Sequence, residues 1–322
     1  MRFRFPAVLA LSLTAVLLVS CTTSEEPPPA ADAPAADAAA EANASPTALL
    51  ITGGTVVTFD AERRVLADGA VAVVDGEIVA VGAASEVSDG FLADHPDAET
   101  IDASGKIVLP GLINAHGHAP MTLFRGLADD LPLMQWLEEH IFPAEAEFVD
   151  EAFVRAGTRL ACLEMLAGGT TTFVDMYYFE DAIAEEVEAC GMRAVLGQTV
   201  IDFPAPDHAT WEEAMAATRA FGERWRDHER IVPAVAPHAP YTVSPEHLQE
   251  AHALAAELDL PLVIHLAEDR TEIATIRERY GTTSVDHLDR LGILDDRVVA
   301  AHVVWPTEAE IARLAETGVG VA

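Results

Sequence analysis

Residues 110–118, Pro110-Gly111-Leu112-Ile113-Asn114-Ala115-His116-Gly117-His118, mark a change of rhythm along the chain. Before them, from Leu49, short alternating or β-branched runs at residues 49–59, 69–74, 77–82 and 100–109 are separated by Gly, Asp and Ser. These read as strands joined by turns, with Asp75-Gly76 as a tight hairpin. After residue 111, apolar strands alternate with long helical segments. Strands are predicted at residues 112–116, 171–176, 194–200, 231–236, 261–267 and 298–304, and a seventh starts at Gly318. The intervening predicted helices include residues 151–167, 180–189, 210–225, 245–258 and 307–316. Strand followed by helix, repeated six times, favours an α/β chain built as a (β/α)8 TIM barrel over an open doubly wound sheet. No glycine fingerprint for a dinucleotide follows the first of these strands.

A barrel places its reacting groups at the C-terminal ends of its strands, and here those ends carry histidine. His116 and His118 are two apart at the end of the first strand, so in an extended chain both imidazoles face the same side. Gly117 between them adds no side chain. Imidazole nitrogen is a favoured ligand for a borderline cation such as zinc. His265 and Glu268 end the fifth strand in His265-Leu266-Ala267-Glu268, Ala301-His302 lies on the sixth, and His238 ends the fourth. The other seven histidines fall on helices, turns or linkers and read as solvated or structural. Asp175, near the end of the second strand, reads as a partner that orients ligands. Arg125 is a candidate substrate contact or a loop cap.

The run 110–118, with His265-Leu266-Ala267-Glu268 and Ala301-His302, resembles the amidohydrolase superfamily. Gly168-Gly169-Thr170-Thr171-Thr172, Ala236-Pro237-His238-Ala239-Pro240-Tyr241 and Glu268 resemble its branch of 5-methylthioadenosine/S-adenosylhomocysteine deaminases and triazine chlorohydrolases. The resemblance runs from about Leu49 to Ala322. It implies one divalent ion, zinc with iron(II) as the alternative, held by His116, His118 and His265. It further implies His302 as the residue that holds the attacking water and Glu268 as the proton shuttle. The implied reaction is hydrolytic deamination of an adenine-type nucleoside, with metal-activated water attacking the amine-bearing ring carbon. Trp136 sits where the branch packs an aromatic on the purine, although core or lid packing is an equal alternative for it. His238 is a candidate hydrogen-bond donor to substrate.

The branch takes a last ligand from an aspartate on an eighth strand, whereas this chain stops at Gly318-Val319-Gly320-Val321-Ala322. The expectation is an incomplete barrel without strand eight, at residues 111–322, preceded at residues 48–110 by half of a small β-sandwich. The alternatives are a guanine or pterin deaminase, an s-triazine chloro- or aminohydrolase, and a non-catalytic truncated lipoprotein of the same fold. Zinc deaminases of the cytidine type are excluded, because their His-x-Glu and Pro-Cys-x-x-Cys elements are absent.

The N-terminus points to export. Arg2 and Arg4 precede an apolar stretch from Phe5 to Val19, and Leu18-Val19-Ser20-Cys21 resembles a lipobox, so residues 1–21 read as a lipoprotein signal with Cys21 lipidated. Residues 22–47, rich in Ala, Pro, Glu and Asp, read as a tether. This places the protein on a bacterial membrane through lipid alone, periplasmic or at the cell surface. Cys162 and Cys190 read as two buried thiols, too few for a disulfide framework. The 53 acidic against 19 basic residues give a formal charge of −34, a field that repels nucleic acid. The expected partner is a small aminated heterocycle; a homo-oligomer is left open.

Overall fold

The structure, a computed structural model, describes residues 47–322. The expected signal segment with Cys21, and the tether up to residue 46, lie outside the described residues. Contacts divide the described residues into two compact units, one comprising residues 47–52 with Ala70–Asp102, the other Gly53–Gly69 with Ala103–Ala322.

The opening strands are β1 (Ala48–Val57), β2 (Val65–Val74), β3 (Glu77–Ala83), β4 (Glu99–Asp102) and β5 (Ile107–Val108). In the first unit the strand order is β3-β2-β1-β4, and Leu49–Thr52 of β1 run parallel to Glu99–Asp102. Asp75 and Gly76, at φ 50° and 81°, make the expected turn between β2 and β3, the left-handed pair that a two-residue hairpin requires. The sequence reading missed a helix at Ala84–Asp94. Its Ser, Asp and Gly residues read as turn formers. Val87, Phe91 and Leu92 nonetheless cluster with Leu50, Ala70 and Ala72 of the sheet, and this burial outweighs the weak local propensity.

In the second unit Thr55 and Val56 of β1 pair with Ile107 and Val108 of β5. The unit is dominated by seven parallel strands: β6 (Leu112–Gly117), β7 (Thr170–Tyr177), β8 (Arg193–Val200), β9 (Ile231–Pro237), β10 (Leu262–Leu266), β11 (Val298–His302) and β12 (Gly320–Val321). They lie side by side in chain order. Side chains alternate between two buried layers, as expected where helices cover a parallel sheet. Leu262, Ile264 and Leu266 pack with Leu248 and Leu254 of helix Pro245–Leu258, while Val263 joins Met176, Ala234 and Ala236 on the other face.

That second face is the concave one. His116 on β6 and His302 on β11 are separated by four strands, which in a flat sheet with ~4.8 Å spacing would hold them roughly 24 Å apart. Their ring centroids are 4.9 Å apart. The sheet therefore curls until its distant strands share one mouth.

Helices 151–167 and 245–258 begin and end as predicted. Polar caps fix such starts: the Asp150 side chain accepts from Phe153 N–H, and Thr307 and Glu310 form a reciprocal capping box. Helices Arg270–Tyr280 and Ser284–Arg290, between β10 and β11, were not foreseen. Strands β10 and β11 are shorter than predicted, because Ala267, His302 and Val303 turn into the left-handed region at φ 51°, 78° and 44°. These bends, costly for residues with a Cβ, are held by hydrogen bonds from Val303 N to Leu266 O and from Val304 N to Ala267 O. Among the described residues no helix is long and apolar enough to cross a membrane.

Candidate active site

Four imidazoles converge at the strand ends. His116 lies 5.0 Å, centroid to centroid, from both His118 and His265, and His302 stacks on His265 at 5.5 Å. Ligand atoms of His116, His265 and His302 all lie within 4.8 Å of one another, and His118 joins them through an Nε2–Nε2 distance of 3.3 Å to His265. The ligand atoms that all meet are those of His116, His265 and His302; His118 of the expected set stands against them through His265.

The orientation of these rings is set by main-chain carbonyls. His118 Nδ1 lies 2.7 Å from Met176 O on β7, and His265 Nδ1 lies 2.7 Å from His238 O on β9. A carbonyl accepts only, so each Nδ1 carries the proton and donates it. Each Nε2 then presents a lone pair toward the other. Two lone pairs at 3.3 Å repel unless a cation sits between or beside them, so the donor set fits a divalent metal. Burial pushes every one of these histidines toward the neutral form that a metal requires. His116 is pushed down to about 3 by burial, helped by His118 and His302, and His118, His265 and His302 are lowered chiefly by burial.

Asp175, fully buried, accepts from Ala119 N–H at 2.5 Å and so fixes the backbone just beyond His118. Burial raises its carboxyl to about 7. It holds the chain next to His118 without bonding the ring itself.

Glu268 borders the cluster, its Oε1 3.6 Å from His302 Nε2. Burial, reinforced by Glu272 and Asp269, raises it to about 7. Its place is fixed by Glu272, which accepts from Ala267 N–H at 2.8 Å and Glu268 N–H at 2.9 Å. The sequence reading missed Glu272. The run Asp269-Arg270-Thr271-Glu272 carries the spacing of a helix-start box and was the available signal.

The imidazoles and Glu268 open into a cavity of about 260 Å3. Trp136 and His238 line it, and His238 Nδ1 lies 2.8 Å from Thr242 Oγ1. Arg125 does not line it. Its exposed guanidinium instead holds Glu164 through two contacts of 3.0 and 2.5 Å, which leaves it the role of tying its loop to helix Glu151–Ala167. Glu145, unmarked in the sequence, also lines the cavity. Burial raises it to about 7, with the hydroxyls of Tyr177 and Tyr178 pulling partly the other way. No motif announces it, since it sits in a helix of ordinary composition, Phe142–Phe148.

A curled parallel sheet of seven strands that gathers imidazoles from β6, β10 and β11 at one mouth defines an α/β protein with a cluster able to hold a metal. The chain belongs to the amidohydrolase family, which it matches over residues 107–322. It is 48% identical over 273 residues to the 5-methylthioadenosine/S-adenosylhomocysteine deaminase of Syntrophobacter fumaroxidans, a match that covers 85% of this chain and 61% of that protein. A zinc-bound crystal structure of an adenosine deaminase from Xanthomonas campestris is 42% identical with a TM-score of 0.78, over 85% of this chain and 61% of that one. A zinc complex of atrazine chlorohydrolase from Arthrobacter aurescens is 27% identical with a TM-score of 0.76, over 85% and 64%. The chain thus spans about three fifths of the length of the curated relative.

Proposed function

We propose that this protein is a metal-dependent aminohydrolase that deaminates an adenine-type nucleoside such as 5-methylthioadenosine or S-adenosylhomocysteine. The observation that carries the metal-dependent part is the facing pair of His118 and His265 Nε2 atoms, each fixed by a carbonyl behind it. The substrate class is supported by the kinship to the Syntrophobacter and Xanthomonas proteins.

His116, His118 and His265 would hold the ion, with zinc favoured by their all-nitrogen donor set and by the zinc in both solved relatives. Such an ion, when bound, lowers the pKa of a water toward 7 and polarises it for attack. The remaining chemistry belongs to the chain. Glu268, with its carboxyl near 7, is suited both to take a proton from water and to return it to a ring nitrogen or the departing amine. His302, 3.6 Å from it, would hydrogen bond the oxygen that gains charge. Trp136 offers a flat apolar wall for a purine, and His238 a polar contact to the ring. Glu145 gives hydroxyl-bearing substrates an acceptor inside the cavity.

The seven parallel strands read as the first seven of a (β/α)8 barrel, and residues 48–110 as half of a β-sandwich. Residues 1–21 and 22–47 supply a lipid anchor on Cys21 and a tether, which would hold the enzyme on a bacterial membrane.

A panel of methylthioadenosine, S-adenosylhomocysteine, adenosine, guanine, a pterin and a chlorinated triazine decides the substrate. Loss of adenine absorbance with release of ammonia from the zinc-loaded protein is the expected result. Turnover of guanine, pterin or triazine alone would replace the substrate assignment, and zinc-loaded protein inert toward all six would overturn the catalytic reading.

A further inference from the structure

Helices Glu151–Ala167 and Glu180–Cys190 flank β7 and lie against each other in a register that ion pairs define. Arg155 reaches Glu185 at 2.7 Å and Glu186 at 3.2 Å, and Arg159 reaches Glu186 at 2.5 Å. One helical turn beyond Arg159 stands Cys162, and one turn beyond Glu186 stands Cys190. The next rung of the ladder is therefore a pair of thiols. Both belong to the same apolar cluster, Cys162 at 1% exposure and Cys190 half-buried at its edge. After burial, the Cys190 thiol beside it is the next cause that pushes the Cys162 thiol up, and Cys190 is also felt by the Arg159 guanidinium. Cys190 ends its helix, followed by Gly191 at φ 76°, so its backbone has room to adjust to the tight Cα separation that a disulfide needs.

We propose that Cys162 and Cys190 form a reversible redox site, a dithiol that closes to an interhelical disulfide by exchange with a low-molecular-weight or protein disulfide. The partly accessible Cys190, as thiolate, attacks one sulfur of the incoming disulfide, and the first thiol departs. Cys162, deprotonated in turn, then attacks Cys190 Sγ in the mixed disulfide, and the second thiol departs. Two protein thiols and one external disulfide become one protein disulfide and two external thiols, with both protons carried by the products. The order follows from access, since Cys162 is sealed in the cluster. Its burial and raised pKa make the second step the slow one.

The test uses the full chain, reduced, freed of reductant and equilibrated while folded with oxidised glutathione. Free thiols are then alkylated, the protein is digested, and the peptides are weighed. The expected product joins the Cys162 peptide to the Cys190 peptide and separates on reduction. The oxidised protein should also melt about 5 °C above the reduced one, because closure restricts the unfolded chain. Cys190→Ser should abolish the cross-link and that difference. Cys190 recovered as a glutathione adduct with Cys162 alkylated, both cysteines recovered alkylated, or a cross-link formed only in denaturant would each overturn the proposal.

Discussion

Gly157 presses its backbone against Pro120 so closely that a Cβ there would sit 2.4 Å from the Pro120 carbonyl oxygen and 2.7 Å from its Cα. Pro120 lies two residues beyond His118, so the missing side chain on helix 151–167 lets the segment carrying His118 settle against it. Gly157→Ala should destabilise the fold by about 1–3 kcal/mol and weaken zinc binding as His118 shifts. Urea unfolding and zinc titration measure the two effects. Gly90→Ala, on a helix where an added Cβ meets nothing within 4 Å, serves as the control and should be neutral or slightly stabilising. Equal behaviour of the two variants would remove the packing argument.

His265→Ala and Glu268→Gln should separate metal binding from proton transfer. The first removes an Nε2 from the centre of the cluster, and bound zinc should fall away together with activity. The second keeps the ring set intact, so zinc content should stay at the parent level while turnover drops roughly 10²–10⁴-fold. Metal analysis beside ammonia release reads both. Zinc lost from Glu268→Gln would make the carboxylate a ligand.

Glu145 should make stability depend on pH in a defined direction. Its carboxyl stays protonated in the fold up to about 7, against an ordinary value of 4.5 in the unfolded chain. Between those values the folded state binds more protons, so stability falls as pH rises across that window and levels off above it. Glu145→Gln removes that dependence. The variant's melting temperature should gain on the parent's between pH 5 and pH 8, by an amount worth up to about 3 kcal/mol. An offset that does not change with pH would place the carboxyl at its ordinary value.

Cys21→Ser should move the protein from the membrane fraction to the soluble one, if the first residues act as a lipoprotein signal. Fractionation of cells expressing the full chain, with mass analysis of the N-terminal peptide, reads this. Parent protein recovered soluble and unlipidated would sink the anchor and leave the barrel chemistry untouched.

Much of the second unit was legible because its strands and helices carry strong local signals: β-branched apolar runs, polar caps and glycine stops at the right spacing. The His116-Gly117-His118 pair was legible for the same reason, since alternation along one strand places both rings on one side. The helix at Ala84–Asp94 was not. Its Ser, Asp and Gly content favours turns, and only the sheet face beneath Val87, Phe91 and Leu92 makes it helical. Arg125 is a different case. A cation in the loop after β6 reads equally as a substrate contact or a loop cap, and the fold sets Glu164, 39 residues on, against it.

The sequence by itself determined which residues can ligate a metal and which strand ends carry them, because residue type and a period of two are properties of the chain alone. Tertiary structure decided that they meet. The curl of the sheet brings His116 and His302 together across four intervening strands. Carbonyls of Met176 and His238, groups that every residue possesses and no motif records, fix the tautomers of His118 and His265. Burial then shifts Glu145, Glu268 and Asp175 to about 7, because the cost of a charge depends on what surrounds it in space and not on its neighbours in the chain.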